Sequence, residues 1–207
     1  MNIDFASVAT IPVPDDIEAL IFRPGVRPLS DKQFAEFCAQ YPDLRIEMNR
    51  EGEMMIMLPV VSRGGRRNFN LTGRFFVWCE RDGSGVGFAS STGFTLRNGA
   101  KRSPDVSWIK RERWDALSEK HKDAFAPICP DFVVELRSKS DRLRHLQEKM
   151  EEYMENGAVL GWLIDPLEKK VHIYQAGSSI QVLDHPSEIS GDPLLTGFVL
   201  KLEGILD

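Results

Sequence analysis

The chain has 207 residues, of which 42% are hydrophobic and 28% charged, with a formal net charge of −5 at pH 7. That length supports one sizeable core, and no apolar stretch approaches the roughly 20 residues of a membrane span. The acidic balance excludes a protein that coats nucleic acid by bulk charge, so any such contact must use a local basic surface or a bound cation.

Residues 1–29 carry Pro12, Pro14, Pro24 and Pro28. These remove backbone donors, so an irregular arm is expected there, with one short strand at Ala19 to Phe22. Residues 30–207 are expected to form a single domain. Ser30-Asp31-Lys32-Gln33 reads as a capping box, and Phe34, Phe37, Cys38 and Tyr41 follow at helical spacing until Pro42 ends the helix. Arg45 to Met48 and Glu53 to Leu58 flank Asn49-Arg50-Glu51-Gly52, the signature of a β-hairpin. Its apolar character suggests self-association, and a homodimer is expected. From Pro59 to about Glu80 the pattern is helical, with Phe69, Thr72, Phe76 and Cys79 on one face, although Gly64, Gly65 and Gly73 weaken it. Asp82-Gly83-Ser84-Gly85 is a turn followed by strand-like Val86 to Ser90, an order that does not make a phosphate-binding loop.

Phe94 to Leu96 and Val106 to Ile109 read as strands on either side of a glycine-containing turn. Arg111 to Lys122 is polar and suits a short surface helix and loop. Phe132 to Leu136 is a compact apolar strand, as expected at the centre of a sheet. Asp141 to Asn156 is the clearest helix, with Leu143, Leu146, Met150, Tyr153 and Met154 as its stripe and Gly157 at its end. Gly161 to Ile164 and Val171 to Tyr174 bracket the turn Asp165-Pro166-Leu167-Glu168, and an apolar segment, Phe198 to Leu206, closes the chain.

Three residues stand out from this frame. Side chains alternate along a strand, so Glu135 and Arg137 share one face and Val134 and Leu136 the other. A carboxylate inside so apolar a strand is costly to bury unless it is paired or bound to a cation. Asp105 follows Pro104 at the mouth of a strand, and Lys149 lies on the flank of its helix stripe, four residues before Tyr153. Asp, Glu and an adjacent ammonium suit Mg²⁺ or Mn²⁺, with Asp105 and Glu135 as ligands and Lys149 as the catalytic cation. Glu47 is a weaker candidate for a further ligand, since hairpin carboxylates are more often solvated. The bland alternative is an internal salt bridge of Glu135 with Arg137 or Lys149. Arg63, Arg66, Arg67 and Arg74 could face a phosphate backbone, or simply form a solvated helix face.

Other chemistries lack their signals. The four histidines show no H-E-x-x-H spacing and no G-x-S-x-G elbow occurs. Trp108, Trp114 and Trp162 suit a core better than a base-stacking platform. Cys38, Cys79 and Cys129 are odd in number and far apart, which suggests neither disulfides nor a C-x-x-C zinc site, and points to reducing cytoplasm. Met1 to Thr10 has neither the basic start nor the apolar block of a signal peptide.

Several segments together resemble the motifs of the Uma-two family of restriction-endonuclease-like proteins. They are Arg45-Ile46-Glu47-Met48-Asn49, Ser103-Pro104-Asp105-Val106-Ser107, Asp131-Phe132-Val133-Val134-Glu135-Leu136-Arg137-Ser138, Lys149 with Tyr153 and Gly157, and Trp162-Leu163-Ile164-Asp165-Pro166. The resemblance implies an α/β, PD-(D/E)XK nuclease fold: a mixed central sheet flanked by helices, here with an N-terminal β-hairpin extension. It implies a Mg²⁺-dependent endonuclease acting on DNA, with Asp105 as the motif Asp and Glu135 as the motif Glu. The lysine expected two residues after the Glu is replaced by Arg137, and members of the family offer a lysine from the next helix, here Lys149. Arg137 competes for that role. Where the family often shows a His near the start of the helix before the first core strand, this chain has Arg63-Gly64-Gly65-Arg66-Arg67. The rival reading is a non-catalytic dimeric or nucleic-acid-binding scaffold of the same fold, and a phosphoesterase of other substrates is a third.

Overall fold

The computed structural model describes residues 19–22, 29–57 and 59–207, the first of these segments by its backbone alone. The arm expected over 1–29 therefore lies outside the described residues except for its strand and Leu29, and so does Leu58 at the end of the expected hairpin.

The N-terminal half builds a five-stranded antiparallel sheet. Strand β1 (Ala19–Phe22) pairs with β3 (Met54–Met57), which forms the expected hairpin with β2 (Arg45–Met48). Beyond β2 lie β6 (Lys101–Arg102) and β5 (Phe94–Thr95). Helix α1 (Asp31–Gln40) starts at the Ser30–Gln33 capping box and lays Phe34 and Phe37 against Ile46, Met48 and Met54. Ile46, Met48 and Met54 of the hairpin are thus buried within the chain, while Met55, Ile56 and Met57 stay partly exposed.

The C-terminal half builds a six-stranded mixed sheet in the order β11-β10-β9-β8-β7-β4. Its strands are β4 (Gly85–Ala89), β7 (Val106–Lys110), β8 (Phe132–Leu136), β9 (Leu160–Asp165), β10 (Lys170–Gln175) and β11 (Gln181–Asp184). Short helices α3 (Arg111–Asp115) and α4 (Glu119–Lys122) fill the segment between β7 and β8, and a small pair, β12 (Glu188–Ser190) with β13 (Val199–Lys201), follows. Only β8 and β9 run parallel, because the helix α5 (Leu143–Glu155) carries the chain back between them. The strands Phe94 to Leu96 and Val106 to Ile109 do not pair with each other as their spacing suggests. The chain turns at Leu96–Ala100 to pair β5 with β6, and then Ser103-Pro104-Asp105 carries it across to the other sheet, where β7 lies between β4 and β8.

Alternation along β8 sorts the two faces of the mixed sheet. Phe132 and Val134 pack with Trp108, Trp162 and Phe198 under helix α2 (Ser62–Asp82), while Val133 packs with Leu163, Met150 and Tyr153 under α5. Trp108 and Trp162 are core residues, as expected. Helix α2 runs unbroken through its three glycines, and the face it buries is that of Leu71 and Phe75, leaving Phe69 and Phe76 outside. No helix among the described residues is long and apolar enough to cross a membrane.

Gly85, buried at the start of β4, leaves room for the Trp108 ring: a Cβ there would lie 2.1 Å from a ring carbon. Because Trp108 is locked in the core, Gly85→Ala is expected to destabilise the protein by about 1–3 kcal/mol, read as a lowered urea midpoint with unchanged slope.

Candidate active site

Glu135 lies on the α5 side of β8, and the two residues of α5 that meet it are Lys149 and Tyr153. The Lys149 ammonium sits 2.8 Å from Glu135 Oε1, and the Tyr153 hydroxyl donates to the same oxygen at 3.1 Å. Lys149 is only 8% exposed. A buried ammonium needs more than one anionic partner, and the second is Glu47 of β2, whose Oε1 lies 2.9 Å from Nζ. Glu47 is 2% exposed, so the expectation of a solvated hairpin carboxylate is corrected. It is buried because β2 faces the crossing between the sheets: the Ser103 amide donates to Glu47 Oε1 at 3.1 Å and Arg102 reaches Oε2 at 3.4 Å. Arg102 in turn binds Glu152 of α5 at 2.6 Å.

Asp105, at the mouth of β7, is held on three sides. The Leu136 amide donates to its Oδ2 at 2.8 Å, Asn68 of α2 donates to Oδ1 at 3.3 Å, and Arg45 of β2 stands 3.5 Å from Oδ1. Arg45 also donates to the Ser103 carbonyl. Arg137 is turned away from Glu135, because β8 ends at Leu136 and the next side chain bonds Asp165 at 2.7 Å. It lines, with Asp105, Arg63, Arg67, Asn68 and Lys139, a cavity of about 450 Å³ at the N-terminus of α2. That helix begins at Val61 without a side-chain cap.

Four carboxylates (Glu47, Asp105, Glu135, Glu152) are tied to three cations (Arg45, Arg102, Lys149) in this cluster. The imbalance falls on Glu135. Burial opposes its ionisation most, Asp105 and Glu47 add repulsion, and Lys149 offsets only part, so the carboxyl is pushed up to about 7. Glu47 is equally buried, but Lys149, Arg102 and Arg45 override that cost and hold its carboxyl below the usual range. The Lys149 ammonium is opposed by burial and yet held above its ordinary value by Glu135 and Glu47.

This donor set suits a hard cation. All available donors are oxygens, and a dication between Asp105 and Glu135 would relieve the repulsion that raises Glu135. Among the described residues no group of three His, Cys, Asp or Glu side chains converges so as to hold a metal ion. Mg²⁺ characteristically keeps several waters in such sites.

The sequence profile of the Uma2 family, described as "Putative restriction endonuclease", matches residues 31–203. The chain belongs to the Uma2 family. Among solved structures, this Uma2 protein is similar to a "putative nuclease belonging to DUF820" from Anabaena variabilis ATCC 29413, with a TM-score of 0.71 at 18% identity, over 86% of this chain and 98% of that one. At that identity the likeness establishes the fold, the restriction-endonuclease-like one expected from the motifs. No curated protein matches the chain. Of the motif residues, Lys149 contacts both Glu47 and Glu135 directly, while Asp105 is held by Arg45, Asn68 and the Leu136 amide. Arg102, Asn68 and Glu152 carried no motif signal; their place follows from the sheet crossing and the helix faces.

In chelator, the shift of Glu135 makes a signed prediction. Between the ordinary value of 4.5 and about 7 the folded chain holds the proton more tightly than the unfolded one, so this group's stabilisation is full below 4.5 and is lost as pH rises through about 7. Glu135→Gln is expected to remove that decline, seen by comparing thermal unfolding of the two proteins from pH 5 to pH 8.

Proposed function

We propose that the protein is a Mg²⁺- or Mn²⁺-dependent endonuclease that hydrolyses phosphodiester bonds in DNA, acting in the cytoplasm. The observation that carries this reading is the buried Glu135 carboxyl, pushed up to about 7 beside Asp105, with the Lys149 ammonium at 2.8 Å.

Asp105 and Glu135 would hold the ion, which when bound supplies polarisation of a phosphoryl oxygen and acidification of water. Lys149 places a fixed positive charge beside Glu135, where it offsets negative charge building on the phosphate under attack. Glu47 keeps that ammonium charged and aimed, and Asn68 and the Leu136 amide orient Asp105. The cavity beside Asp105 offers Arg63, Arg67 and Lys139 together with the uncapped first amides of α2, a surface suited to a phosphate backbone. This local basic wall reconciles DNA contact with the net charge of −5. The three cysteines are far apart in the sequence and unpaired, which suits a reducing compartment.

The non-catalytic scaffold is favoured by one observation: Lys149 and Asp105 are both fully engaged by protein partners. The two readings separate in one set of measurements. Mn²⁺ titration by calorimetry should show binding to the wild type and none to Glu135→Gln or Asp105→Asn. Lys149→Met should still bind Mn²⁺ but nick supercoiled plasmid at least about 100-fold more slowly. Unchanged Mn²⁺ binding in Glu135→Gln, or a wild type inert on single- and double-stranded DNA with every divalent cation, would establish the scaffold instead.

A further inference from the structure

Helix α2 has an outer face that no other described element covers. Arg66, Phe69, Gly73, Phe76 and Glu80 follow one another along it at alternating intervals of three and four residues, the interval that keeps a seam on one side of a helix pair. Phe69 is 78% exposed, Phe76 59% and the adjoining Val77 48%. Single exposed apolar residues are ordinary, but three large ones on one face of a helix, within about two turns, form a patch.

Gly73 sits in the middle of that patch. A Cβ there would meet nothing within 4 Å, and its backbone is helical, so nothing in the single chain asks for glycine. Glycine in a helix interior is destabilising relative to alanine. The notch it leaves lies one turn from the protruding Phe69 ring, and the next turn but one holds a second such glycine, Gly65.

We propose that this face is the interface between two copies of the chain, with their α2 helices antiparallel about a two-fold axis near Gly73. The two Gly73 residues then face each other at the axis, where their missing side chains let the helices approach closely, and Phe69 of each copy lies opposite Val77 of the other. A two-fold interface must be complementary to itself, and this register satisfies that with the exposed apolar side chains of one face. Charge selects the same occupant and the same direction. Arg66 stands seven residues before Gly73 and Glu80 seven after, both exposed. Antiparallel pairing about Gly73 sets Arg66 of one copy opposite Glu80 of the other, whereas parallel pairing would set like charges together. The helix dipoles also oppose each other in this arrangement. At 21 residues α2 is about 31 Å long, enough for both ends of the seam to engage. The proposal does not depend on the nuclease reading.

Sedimentation velocity of the full chain tests it. The wild type should sediment as a dimer at micromolar concentration, and Phe69→Asp should weaken the dissociation constant by about thirtyfold or more, as expected for an aromatic anchor at the centre of an interface. Glu80→Arg should also weaken the dimer, and adding Arg66→Glu to it should restore assembly. These charge variants lie wholly on the surface, so they remain decisive even where Phe69→Asp folds poorly. A wild type that stays monomeric up to about 100 μM, far above the working range of a stable dimer, would overturn the proposal. So would a dimer indifferent to Phe69→Asp, or a doubly swapped variant no better assembled than Glu80→Arg.

Discussion

The position of one ammonium organises the molecule. Lys149 lies between Glu47 of the five-stranded sheet and Glu135 of the mixed sheet, so α5, β2 and β8 can be packed only in the arrangement that brings those carboxylates together. Such an arrangement adds little net stability, since desolvating three charged groups costs about as much as their attraction returns. Its effect is selective. Any slip of α5 along the sheet, or of the hairpin against the crossing, would strand a buried charge, and that is among the most destabilising events available to a core. Arg102 repeats the logic one turn of α5 away, joining Glu47 to Glu152.

The crossing between the sheets explains why Asp105 stands where it does. Leaving β6, the chain must satisfy its backbone while belonging to neither ladder, and it does so through the same cluster. The Ser103 amide goes to Glu47, the Ser103 carbonyl to Arg45, Pro104 has no amide to satisfy, and the Asp105 amide goes to Val134. The Asp105 carboxylate then takes the Leu136 amide at the end of β8, where the strand has run out of partners on that side. The position of Asp105 one strand away from Glu135 is therefore a product of local hydrogen-bond accounting as much as of any ligand.

How far this was legible in the sequence depended on the range of the signal. The centre of the sheet was legible because Phe132 to Leu136 is an apolar run of strand length, and its alternation put Glu135 on one face. The α5 stripe likewise put Lys149 at its flank, where it meets that face. Glu47 was misjudged because a hairpin carboxylate reads the same whether water or Arg102, 55 residues away, lies beyond it. Arg137 was placed beside Glu135 by alternation alone, but β8 ends at Leu136 and alternation ends with it. The polar strands β11 and β12 had no apolar periodicity to betray them, being edges whose side chains are largely exposed.

Helix α2 shows a different kind of ambiguity. Two stripes on it have helical spacing, one through Phe69 and Phe76 and one through Leu71 and Phe75, and periodicity alone does not say which one faces a sheet. Packing decides it: Phe75 makes close ring contacts with Phe132, Trp78 and Phe198, and Leu71 joins the same core. Once that face is committed, Asn68 is turned toward Asp105 and the first turn of α2 toward the cavity, so the apolar anchor of the helix also sets the orientation of the site's wall. Phe69 and Phe76 are then left on the far side by geometry, a quarter to half a turn from every buried neighbour. The same packing that buries Leu71 and Phe75 therefore leaves Phe69, Phe76 and Val77 exposed, so one helix carries both the wall of the site and a second, outward-facing apolar stripe.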